Sequence, residues 1–90
     1  MSVSSEFQRA LLDCVDVLRE CDGPGAARWA AELAAAARDG VADLSRGAAR
    51  ALAALESGAA APEVVPELQV EEFDRRQEHL TAICRVILGR

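Results

Sequence analysis

Three cysteines and one histidine are the side chains best equipped for chemistry in this 90-residue chain. Thiolates and imidazoles serve as metal ligands, nucleophiles and bases, so their spacing decides what they can do. Cys14 and Cys21 fall two turns apart on one helix face, about 10 Å along the axis, too far to bridge each other. Cys84 lies on an apolar stripe near the other end of the chain. No C-x-x-C is present, and the Cys and His spacings match no zinc site. His79 would complete a Glu-x-x-His di-metal motif only if position 76 were acidic, and Arg76 stands there. Two readings follow. In the first the cysteines are small buried hydrophobes, reduced and slow to react, and His79 marks the edge between an apolar and an acidic face. In the alternative, His79, Cys14 and Cys84 converge across two helices as a ligand- or metal-handling site.

The remaining candidates suit binding rather than catalysis. Glu6, Asp13, Asp16 and Glu20 form one acidic face that could meet a basic partner, although a charged face opposite an apolar stripe is commonly just solvated. Trp29 is the only tryptophan. It reads as a core anchor among alanines or as an exposed interface anchor, a setting where Trp is enriched. Gln77 interrupts an apolar stripe, and a polar residue there either reaches solvent at an edge or specifies register and oligomeric state. Nothing resembles a nucleophile–base pair, a nucleotide fingerprint or a phosphate-cradling loop; GPG and DG are helix stops. The expectation is therefore a non-enzymatic protein with no cofactor and no bound metal.

Helical periodicity runs through nearly the whole chain, and no segment alternates long enough for a strand. Ser5 and Gln8 make a capping box ahead of the ladder Phe7, Leu11, Cys14, Leu18 and Cys21. The DGPG at 22–25 ends that helix, and Pro24 suits the first turn of the next. Trp29, Leu33, Ala36 and Ala37 mark the buried side of helix 2. Val41, Leu44, Ala48, Ala51, Leu52 and Leu55 mark that of helix 3. Asp39-Gly40 reads as a stop, with Asp43 or Ser45 capping a new start. The alternative is one helix over 25–57, about 50 Å long, which would overhang its neighbours and need a second chain to cover it. Residues 59–66 read as a linker. Helix 4 carries Val70, Phe73, Gln77, Leu80, Cys84 and Ile87, with Glu71–Arg75 and Glu72–Arg76 as i,i+4 pairs.

The fold class expected is all-α: a small antiparallel bundle of four helices at about 5–21, 25–39, 43–57 and 67–88, or of three if 25–57 is continuous. Its predicted core is Leu11, Leu18, Trp29, Leu33, Leu44, Leu55, Leu80 and Ile87. Ninety residues suffice for one such domain.

Composition narrows the partners. The net charge of −5 opposes a nucleic-acid interface, which needs a basic face, and an anionic membrane surface. No apolar run is long enough to span a bilayer. The start, MSVSSEFQ, lacks the pattern of an export signal, and an odd number of thiols fits a reducing compartment, so a cytoplasmic location is expected. The chain holds 19 Ala and 10 Arg but no Lys, Asn or Tyr. That bias is the mark of GC-rich codons and points to a bacterial source. Alanine abundance is then mostly codon pressure acting through helix propensity.

The run LLDCVDVLRECDGPGAARWAAELAAAARDG resembles an uncharacterised family of small bacterial helical domains. These pair an apolar first helix with a Trp-Ala-x-x-Leu second helix, matched by Trp29, Ala30 and Leu33. The family's later Gly-rich turn with Asn-Asp-Leu is replaced by SGAAAPEVVPEL. The likeness covers about half the chain and implies no site and no activity. The functional expectation is a small cytosolic interaction module that presents a helix face to another protein, with regulation or toxin neutralisation as instances and a homodimer as one form of partner.

Overall fold

A computed structural model describes residues 2–21, 24–58 and 70–89. Four helices account for nearly all of them: α1 (Val3–Arg19), α2 (Pro24–Ala42), α3 (Leu44–Gly58) and α4 (Val70–Leu88). At 1.5 Å per residue they are about 22–28 Å long, so each nearly spans the 32 Å long axis of the bundle. The helices pack α1 on α2, α2 on α3, and α4 across both α1 and α3. Cross-contacts run in opposite senses along paired helices: Gln8 meets Ala37 and Asp13 meets Arg76. The all-α bundle read from the periodicity is what the chain forms. The expected linker at 59–66, the stop at Asp22-Gly23 and the start of helix 4 at Glu67 lie outside the described residues.

The amphipathic stripes place the core. Phe7, Leu11, Cys14, Val15, Leu18, Leu33, Leu55, Leu80 and Cys84 are all fully buried. Trp29 packs edge-on against Phe73, ring centroids 4.9 Å apart. Leu44 and Ile87, expected in the core, only flank it. Leu44 opens α3 at the corner with α2, and Ile87 lies in the last turn of α4, where fewer neighbours surround a side chain.

Three local expectations need correction. The first cap is Ser2, whose hydroxyl accepts from the Ser5 amide at 3.1 Å. Gln8, assigned to a capping box with Ser5, instead donates across the bundle to the Ala37 carbonyl at 2.9 Å. On α4, Arg75 pairs with Glu72 at 3.2 Å rather than with Glu71, while the expected Glu72–Arg76 pair forms at 2.8 Å.

The third correction concerns Gly40. The chain does break between α2 and α3, so 25–57 is not one helix, but the break falls at Asp43. The Asp43 amide still donates to the Asp39 carbonyl, and its carboxylate caps α3 by accepting from the Arg46 amide at 3.3 Å. Gly40 is helical and buried; the only glycine with positive φ among the described residues is Gly89. Carrying the helix past Gly40 also turns Val41 outward, to 80% exposure, instead of into the core. Gly40 stays inside because α3 crosses there. A Cβ on Gly47 would lie 2.5 Å from the Gly40 Cα. The two glycines let the helix backbones touch beside a one-residue corner.

Candidate functional site

The charged seam between α1 and α4 brings two of the acidic candidates, Glu6 and Asp13, beside His79. Helical phase brings Glu6, Arg9 and Asp13 of α1 opposite Glu72, Arg75, Arg76 and His79 of α4. They line two adjoining clefts of about 230 and 420 Å3, with Asp13 and His79 on the walls of both. Arg76 crosses the seam. Its Nη1 donates to the Asp13 backbone carbonyl at 2.7 Å while its Nε is held by Glu72 at 2.8 Å. Arg76 is therefore a strap between helices, a role the sequence hid because the acceptor is a backbone carbonyl 63 positions away.

That strap gives a direct expectation. Arg76→Met keeps the aliphatic stem but removes a charge-assisted bond, and should cost about 1–3 kcal/mol in urea unfolding. Arg75→Met, at a side chain 75% exposed, should stay within about 0.5 kcal/mol. Equal losses at the two positions would show that the cross-seam bond contributes nothing of its own.

The thiols lie elsewhere. Cys14 and Cys84 are fully buried on the inner faces of α1 and α4, whereas His79 is exposed at the rim of the seam. The three are thus split between interior and surface. Among the described residues no group of three or more His, Cys, Asp or Glu side chains is placed to hold a metal ion. Burial pushes the Cys14 thiol up to about 12. Nearby Asp13 adds to the shift, Arg76 opposes it and Cys84 adds further. Burial alone pushes Cys84 up to about 11. Both thiols are held protonated at neutral pH and so offer little thiolate for nucleophilic attack. Cys21 is also buried, its Sγ donating to the Val17 carbonyl at 3.3 Å.

The candidate partner contacts divide as well. Glu6, Asp16 and Glu20 are exposed and Asp13 half-buried on the outer face of α1. Trp29 is only 7% exposed, so its ring sits in the core. Its indole N–H is buried and finds no acceptor among the described residues, which makes it a costly donor. Gln77 is half-buried on α4. The residue missed is Leu12, 53% exposed in the middle of α1, overlooked because a single surface leucine breaks no periodicity.

One further groove of about 370 Å3 runs between α1 and α2, floored by Ala27, Ala30, Ala31 and Ala34 beside Cys21. No helix among the described residues is long and apolar enough to cross a membrane. Comparison with protein-family models, with curated proteins and with solved structures finds no match.

Proposed function

We propose that the chain is a protein–protein interaction module whose contact surface is the outer face of α1. The observation that carries this reading is Leu12, 53% exposed at mid-helix and set among charged side chains. None of Glu6, Arg9, Asp13, Asp16 or Arg19 forms an ion pair within the described structure. Elsewhere Glu32 and Asp39 hold Arg50, and Glu72 holds Arg75 and Arg76, while Glu56, Glu71, Asp74 and Glu78, like those charges of α1, form no ion pair among the described residues. Charges without an internal partner can meet another chain without giving up existing contacts, and they set orientation and encounter rate. An apolar side chain at the centre of such a face is taken out of water when another chain packs on it, a favourable transfer.

The test is site-specific photo-crosslinking in the cells that produce the protein, with the reactive group at Leu12 or, as a control, at the exposed Ala53 of α3. Crosslinks to a discrete protein should form from position 12 and not from position 53. Asp16→Arg should weaken them about tenfold while leaving helicity and urea stability within about 0.5 kcal/mol. Equal crosslinking from both positions would refute the assignment of this face.

A further inference from the structure

We infer that a second copy of this chain occupies the α1 face, helix against helix and antiparallel, an inference that rests on the interaction reading above. The outermost stripe of α1 is Ser5, Arg9, Leu12, Asp16 and Arg19, all exposed, at alternating spacings of four and three. That spacing keeps them in one line along the helix, as in a seam between two packed helices. The order of charges along the line is what selects the partner. Arg9 and Asp16 stand on either side of Leu12 with opposite signs. A two-fold axis beside Leu12 reverses the second helix, bringing Arg9 against Asp16 of the other copy and Asp16 against its Arg9. The two Leu12 side chains meet between these reciprocal pairs. This is the self-complementarity that an isologous contact demands. A parallel arrangement would instead set Arg9 against Arg9 and Asp16 against Asp16, so the same charges select against it. Neither residue gives up an ion pair among the described residues to do this.

The contact is small and partly ionic, so the dimer is weak and sensitive to salt. Sedimentation equilibrium of the full chain, in reductant and at rising concentration, should show a mass climbing from 9.5 kDa toward twice that value. Arg9→Asp or Asp16→Arg alone places like charges in contact and should raise the dissociation constant about tenfold. The double exchange, Arg9→Asp with Asp16→Arg, restores opposite charges across the axis and should return the constant to its original value. Because all these positions are exposed, circular dichroism should report the same helicity in every variant. A mass that stays at the monomer throughout, or a double exchange that remains as dissociated as the single ones, overturns the inference. In that event crosslinking from Leu12 separates the two readings. A different protein captured there leaves the α1 interface standing without self-association, and no capture from that position removes both.

Discussion

Gly47→Ala is expected to destabilise the fold by about 3 kcal/mol or more, at the upper end of what overpacking usually costs. Helix propensity alone predicts the opposite sign, since alanine gains up to about 1 kcal/mol over glycine inside a helix. Packing decides against propensity here. The added Cβ would sit 2.5 Å from the Gly40 Cα, 2.6 Å from its nitrogen and 2.8 Å from the Ala36 carbonyl oxygen. These are backbone atoms of a helix interior, which no rotamer change can move. Relief requires α3 to swing away from α2, and their one-residue link at Asp43 allows little of that without breaking the Asp43 cap.

Gly40→Ala should be destabilising as well, but less so. Its Cβ would meet the Phe7 ring at 2.8 Å and the Gln8 amide at 3.3 Å, side chains with some freedom to shift. Urea unfolding of both variants, with Ser45→Ala as an exposed control, tests the ordering. A Gly47→Ala protein as stable as the parent would mean that the helices do not approach as closely as the structure places them.

These glycines show what the sequence could and could not disclose. The ladder Phe7, Leu11, Cys14, Leu18 was legible because a 3.6-residue period translates directly into one buried face, and all four are buried. Asp39-Gly40, by contrast, carries two meanings in the same letters. Glycine marks a helix stop when the chain needs positive φ, and a contact point when another backbone must come close. Only the position of a neighbouring helix separates the two. Gly40 and Gly47 fall three residues before and four after Asp43, so they meet once the corner is at Asp43, and a corner at Gly40 conceals the pairing. A helical Gly40 can still penalise alanine, through Phe7, with no second chain involved.

The candidate site was legible to a similar depth. Opposition of acidic and apolar faces on α1 followed from spacing, and so did the separation of Cys14 from Cys21. The contacts of Arg76 with Asp13 and of Gln8 with Ala37 did not, because each ends on a backbone carbonyl of another helix. Backbone acceptors look alike at every position in a sequence, so pairings of this kind carry no residue-type signal.

The second large effect is an alkaline loss of stability driven by the buried thiols. An unfolded chain ionises cysteine near the ordinary value of 9.0, whereas the folded protein holds Cys14 neutral to about 12 and Cys84 to about 11. The folded state therefore retains protons that the unfolded state has released, and stability must fall as pH rises through that interval. Below pH 9 both states carry protonated thiols, and the contribution is fully present. Above it each thiol removes up to about 1.4 kcal/mol per pH unit, so the two together cost about 4 kcal/mol between pH 9 and 11. Few other groups blur this window. The chain has no lysine and no tyrosine, and arginine remains charged throughout. Losses of this size are a large share of the stability of so small a domain. Urea midpoints measured in reductant from pH 8 to 11 should fall steeply above pH 9. Cys14→Ala with Cys84→Ala will lower the starting stability by leaving cavities, but should flatten the slope by about two protons. The same protonation should keep both thiols from reacting with thiol reagents in the native protein at neutral pH. An unchanged alkaline slope in the double variant would place the titrating groups elsewhere.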